Sequence, residues 1–168
     1  IGKTVVSTVL ARGLSLNYWK PIQTGSCDGS DSEFVRQWLG KTHVFPEIYS
    51  YPEPVSPHFS SAIRGEQISL KTCTDQFLRI SKPVVVEGAG GVLVPLNRKE
   101  LMIDLIKSFD ISVVIVADTN LGTINHSLLT IEALRNRHIK ISGLITNGYE
   151  NLDVQQTISS YGKIDILG

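Results

Sequence analysis

The sequence predicts a layered α/β fold, a mostly parallel sheet with helices on both faces, and three observations carry that prediction. First, β-branched runs at 84–86, 112–117 and 139–145 lie roughly thirty residues apart with a helical apolar pattern in each gap, the spacing of right-handed βαβ units. Second, each run stops at a polar stretch containing glycine: Glu87-Gly88-Ala89-Gly90-Gly91, Asp118-Thr119-Asn120-Leu121-Gly122 and Thr146-Asn147-Gly148. Third, Gly2-Lys3-Thr4 opens an apolar-periodic segment. In that arrangement a helix N-terminus and its backbone N–H groups hold phosphates, the Lys reaches the terminal ones, and the Thr hydroxyl meets Mg²⁺.

Taken in order, Val5, Val6, Val9, Leu10 and Leu14 recur at helical spacing and predict a first helix ending near Gly13, with one apolar stripe on a sheet. Residues 17–22 read as a short strand, with Lys20 at its end before Pro21, and Gln23-Thr24-Gly25-Ser26 as a polar loop. Residues 30–39 predict an amphipathic helix capped by Ser30, with Glu33 as its capping-box partner and Asp31 in its first turn. Residues 40–60 hold four prolines among Phe45, Tyr49, Tyr51 and Phe59, so an irregular, partly extended segment that covers a site is expected rather than a linker. A helix over 68–80 is broken by Lys82-Pro83. The run 84–86 is expected to be a strand buried on both faces. A helix over 102–109, the strand 112–117, a helix capped by Thr123 or Asn125 and ending by Arg137, the strand 139–145, a helix over 154–161 and a last short strand at 164–167 complete the chain.

The 168 residues suit one domain, 1–168, with a substantial core. A complete phosphate loop needs a strand and a first glycine ahead of Gly2, so the first strand of this domain is expected to lie outside this sequence. Sixteen basic residues balance 16 acidic ones, which gives no electrostatic case for nucleic acid or an anionic membrane. The apolar runs are too short to span a bilayer, and no basic-then-apolar leader is expected within residues 1–168; a leader upstream of Ile1 stays open. Cys27 and Cys73 stand far apart, which predicts free thiols in a cytoplasmic protein rather than a disulfide framework or zinc cluster. His58 and His126 read as hydrogen-bonded structural or interface residues, and Trp19 and Trp38 as packing residues.

In open α/β sheets ligands bind beyond the carboxyl ends of the strands. Those ends here carry Lys20 and Thr24, Glu87 with its glycines, Asp118 to Gly122, and Asn147, expected on the same rim as Gly2-Lys3-Thr4. The inventory suits phosphate and Mg²⁺ chemistry, because Mg²⁺ prefers carboxylate, hydroxyl, water and phosphate oxygens; Glu87 stands where a phosphate-loop protein holds a metal carboxylate, and Asp31 adds a second.

Tyr18-Trp19-Lys20-Pro21-Ile22-Gln23-Thr24-Gly25, Ser30-Asp31, Glu53-Pro54-Val55-Ser56-Pro57-His58, Val86-Glu87-Gly88-Ala89-Gly90-Gly91, Asn120-Leu121-Gly122-Thr123-Ile124-Asn125-His126 and Asn147-Gly148 follow the opening Gly-Lys-Thr in fixed order. Together they resemble the dethiobiotin synthetase family, over nearly the whole chain. The resemblance implies a fold like that of the P-loop nucleotide hydrolases and an ATP- and Mg²⁺-dependent ligase of biotin biosynthesis. Such an enzyme closes the ureido ring of 7,8-diaminopelargonate with CO₂ or bicarbonate, through a carbamate and a carbamic-phosphoric mixed anhydride.

Carried onto this chain, the resemblance implies that Lys3 holds phosphate within a nucleotide site of Gly2, Lys3, Thr4, Val5, Glu87, Gly88, Ala89, Gly90, Asn147 and Gly148. Thr4, Asp31 and Glu87 would form the Mg²⁺ shell, and Lys20 would neutralise the carbamate and the transferred phosphoryl group. Thr24, Gly88 and Gly90 would face the diamine, Asn147 would read adenine, and Gly122, Thr123, Ile124 and Asn125 would receive the substrate's tail carboxylate across a homodimer interface. Two other readings stay open at this point. One is a regulatory or scaffold ATPase of the partition and cofactor-assembly branch, which would carry an additional lysine upstream of Ile1. The other is a cobyrinate-type ligase domain, which would normally be joined to a glutaminase.

Overall fold

Every pairing between the strands of the computed structural model is parallel, as the spacing of the β-branched runs predicts. The structure describes residues 1–81 and 83–168, and for Asp28 the backbone alone; Lys82, half of the expected helix-breaking pair, lies outside the described residues. The chain divides into two compact units, one of Ile1–Val6 with Asp110–Gly168 and one of Ser7–Phe109.

The unit Ser7–Phe109 is built on β1 (Asn17–Trp19), flanked by β3 (Val44–Phe45) and β5 (Val84–Val86) in the order β3-β1-β5. Side chains alternate across a strand, so adjacent residues of β1 enter different cores. Tyr18 packs with Val35 and Leu39 of α2 (Asp31–Leu39) and with Val44. Trp19 packs on the other face with Phe77 of α4 (Leu70–Arg79) and Phe109 of α5 (Met102–Phe109), at ring-centroid distances of 6.3 and 5.8 Å. Helices therefore cover both faces of this sheet. Strand β5, expected to be buried on both faces, is half-buried along its length and pairs with β1.

The expected strand over 17–22 is two strands. Pro21 has no N–H to give a ladder, and the chain leaves β1 there; its carbonyl instead accepts from the N–H groups of Ile48 and Tyr49. Gln23 and Thr24, expected in a loop, belong to β2 (Ile22–Thr24), which pairs with β4 (Tyr49–Tyr51). The irregular segment thus supplies two short strands and leads into α3 (Pro57–Ile63), with Pro57 in its first turn.

Helix α1 (Lys3–Gly13) ends where expected, but its apolar residues do not form one buried stripe. Val6, Ser7, Thr8 and Ala11 are buried, whereas Val5, Val9 and Leu14 are exposed, so small and hydroxyl side chains occupy the inward face. Trp38, expected to pack, is also half exposed, with Arg12 over its ring at 5.7 Å.

In the other unit, β6 (Val113–Ala117), α6 (Thr123–Asn136) and β7 (Ile141–Thr146) form one βαβ element. Helix α7 (Leu152–Gly162) crosses α6 closely: a Cβ on Gly162 would stand 2.7 Å from the Ile131 side chain. The strand expected at 164–167 is reduced to a single bridge between Leu144 and Ile166. Thr123 and Asn125 do not cap α6. Its N-cap is Gly122 at φ 97°, and the Thr123 hydroxyl donates back to the Asp118 carbonyl at 2.8 Å. Among the described residues no helix is long and apolar enough to cross a membrane.

Candidate active site

The parallel register of β1 and β5 aligns Trp19 with Val86, which makes Lys20 and Glu87 the first residues beyond two adjacent strand ends. Both are buried, Lys20 at 6% and Glu87 at 3% exposure. The Lys20 ammonium donates to Glu87 Oε1 at 3.0 Å and also to Asp31 Oδ2. Asp31 arrives there as the first residue of α2, whose start is fixed by the expected capping box: Glu33 N–H donates to Ser30 Oγ at 3.1 Å and Ser30 N–H to Glu33 Oε2 at 2.8 Å. Two carboxylates and one ammonium leave the cluster one negative charge in excess. Removing one member of the buried Lys20–Glu87 pair costs about 3–5 kcal/mol.

Two side chains without an assigned sequence role complete the network. The Tyr18 hydroxyl donates to Glu87 Oε2 at 2.9 Å. Burial pushes this phenol far above its ordinary range, the Glu87 carboxylate adds to the effect, and the group therefore stays a donor. Gln23 Oε1 accepts from the Asp31 N–H at 3.2 Å while its Nε2 donates to the Thr24 carbonyl at 2.8 Å, tying the end of β2 to the start of α2. The signal for Tyr18 is its position two residues before Lys20, on the same face of the strand. Thr24 is half-buried and Gly25 N–H donates to the Glu53 carbonyl at 3.0 Å. After Glu87, Gly88 is half-buried, Ala89 buried, and Gly90 exposed at φ 72° with its missing Cβ replaced in space by Val94.

The donor set at Lys20 fits Mg²⁺. It offers carboxylate oxygens alone, and among the described residues no third His, Cys, Asp or Glu joins them, which suits an ion that keeps water and phosphate oxygens in its shell.

The second group of expected site residues lies in the other unit. Gly2 has φ 80°, and a Cβ there would fall 2.2 Å from Asn147 Nδ2, so only glycine permits this approach. Asn147 Nδ2 donates to the Ile1 carbonyl at 3.3 Å, and its backbone N–H to the Ala117 carbonyl at 2.8 Å, which places the amide at the ends of β6 and β7. Gly148 packs on Thr119. Lys3 and Thr4 stand half-buried in the first turn of α1 and Val5 is exposed. At the start of α6, Leu121, Gly122 and Asn125 are exposed, Ile124 half-buried and Thr123 buried.

A family model described as an AAA domain matches residues 1–168. The ATP-dependent dethiobiotin synthetase BioD of Paramagnetospirillum magneticum is 40% identical over 167 residues, covering 99% of this chain and 80% of the relative. That of Novosphingobium aromaticivorans is 43% identical over 170 residues, covering 100% and 81%. That of Lawsonia intracellularis is 40% identical over 167 residues, covering 99% and 80%.

Proposed function

The chain belongs to the ATP-dependent dethiobiotin synthetase family, and from that premise we propose how its own residues serve the reaction. It is a ligase of the P-loop α/β class, which sets aside the regulatory ATPase and cobyrinate-type alternatives. The substrates are 7,8-diaminopelargonate, CO₂ or bicarbonate, and ATP. One substrate amine adds to CO₂ and loses a proton to give a carbamate. The carbamate oxygen takes the γ-phosphoryl group, releasing ADP, and the second amine attacks the carbonyl and expels phosphate as the ring closes. No covalent bond to the protein is required, so the chain's work is positioning and charge stabilisation.

The observation that carries the assignment is the buried Lys20 ammonium held between Asp31 and Glu87 at the ends of adjacent strands. Lys20 supplies positive charge to the carbamate and to the phosphoryl group in transfer. Asp31 and Glu87 are the carboxylates that would hold Mg²⁺, with the Thr4 hydroxyl added on the strength of the Gly-Lys-Thr motif. When bound, Mg²⁺ would supply positive charge to the phosphates of ATP. Lys3, with the backbone of Gly2 and Val5, holds the phosphates, and Asn147 with Gly148 takes the adenine end. Thr24 and the backbone of Gly88 and Gly90 face the diamine.

The start of α6, where Gly122 and Asn125 are exposed, supports a homodimer in which this helix N-terminus receives the substrate carboxylate of the second copy. Sedimentation showing a monomer at catalytic concentration would remove that assignment. The chain is proposed to work in the cytoplasm, without nucleic acid or membrane. The reaction itself is tested by ADP release, expected to require diamine and bicarbonate together; ATP turnover that ignores the diamine would refute it.

A further inference from the structure

The geometry points to Tyr18 as a positioning residue for Glu87: its hydroxyl engages Oε2 and turns Oε1 toward Lys20 and the cation site. The inference rests on the proposed metal role of Glu87, and the test below separates the two.

The phenol is fully buried, and its ring is fixed by Val35 and Leu39 of α2 and by Val44 of β3, so packing rather than solvent sets where the hydroxyl lies. The Glu87 backbone is fixed as well, because its N–H donates to the Trp19 carbonyl at 2.9 Å beyond the β1–β5 ladder. With the backbone and one oxygen held, the carboxylate plane has little freedom left. Oε1 then presents the same position whether its partner is the Lys20 ammonium, 3.0 Å away here, or a metal ion. Loss of the hydroxyl releases the carboxylate to other rotamers, and binding has to order it again. The residues that support metal ligands in this way typically account for about 10–100-fold in affinity. Because the ring also packs against α2, Tyr18 ties the orientation of Glu87 to the helix that brings Asp31.

Tyr18→Phe keeps the ring and removes the bond. Calorimetric titration of Mg²⁺ into protein saturated with a non-hydrolysable ATP analogue is expected to show affinity weakened about tenfold. In the same assay Glu87→Gln weakens Mg²⁺ binding, and adding Tyr18→Phe to Glu87→Gln changes nothing further, since Tyr18 acts through Glu87. Wild-type Mg²⁺ affinity in Tyr18→Phe, beside weakened affinity in Glu87→Gln, overturns the role of Tyr18 alone. A full Tyr18 effect persisting on the Glu87→Gln background also overturns it. Wild-type affinity in Glu87→Gln overturns the metal role of Glu87 and this inference with it. Tyr18→Met, which lacks the same hydroxyl and adapts to the apolar cluster, carries the test if the phenylalanine variant does not fold.

Discussion

At the scale of single residues, an ammonium buried between two carboxylates stands ready before any substrate arrives. Lys20→Ala is expected to lower dethiobiotin formation by about 10²–10³, the loss usual for one preorganised charge donor. Calorimetric affinity for an ATP analogue should be largely retained, and unchanged turnover would take Lys20 out of the mechanism. The two thiols make a second residue-level contrast. Cys27 is exposed and Cys73 buried, so a thiol reagent should label Cys27 in the native protein and both in denaturant. Burial raises the Cys73 thiol from 9.0 to about 12. Between those values the unfolded chain has lost a proton that the folded chain keeps, so stability falls as pH rises from about 9 and is unaffected by this group below it. Urea titrations at pH 8 and pH 10.5 check the sign: the midpoint should be lower at the higher pH. Lys20, Asp31 and Glu87 were legible in the sequence because each stands beside a recognisable strand end or helix start. Tyr18 was not, because a side chain's partner across a sheet depends on which strands are neighbours, and one sequence does not state that order; Gln23 was not, because it reads as part of a loop rather than of β2.

At the scale of elements, local chemistry that completes itself was legible and chemistry that depends on distant chain was not. Helix α2 carries its cap and capping-box partner three residues apart, and both bonds form. Ser30→Ala should cost about 1 kcal/mol in denaturant unfolding. It should also loosen Asp31, the next residue, and so weaken Mg²⁺ binding more than a cap elsewhere, such as Ser69→Ala at α4, would do. For α6 the same reasoning chose Thr123 or Asn125, but the left-handed Gly122 starts the helix and commits the Thr123 hydroxyl to Asp118. The split at Pro21 follows from its missing N–H, yet the destination of the second half, beside β4, is set by residues almost thirty positions later. The stripe on α1 misled because hydrophobicity marks which residues favour burial, whereas the face that is buried carries small and hydroxyl side chains as well: Ser7, Thr8 and Ala11 are buried with Val6, while Val9 is exposed.

At the scale of the molecule, the parallel α/β class was legible from strand spacing and the pairing order within each sheet was not. The fold is held by apolar packing, and Lys20 already pairs with both carboxylates of its cluster, so structural integrity is not expected to depend on the metal. Chelation of Mg²⁺ should therefore stop ADP release while leaving the calorimetric melting temperature of the nucleotide-free protein unchanged; a large downward shift would assign the ion a structural role. The aromatic core of Trp19, Phe77 and Phe109 has an optical consequence. Trp19 and Trp38 are the two tryptophans of the chain, both within Ser7–Phe109, one with no solvent exposure and the other 53% exposed. Their emission should separate into a short-wavelength part that iodide cannot quench and a longer-wavelength part that it can. Tryptophan light thus comes from one unit, from inside and outside at once, while Tyr149 and Tyr161 are the ultraviolet absorbers of the other.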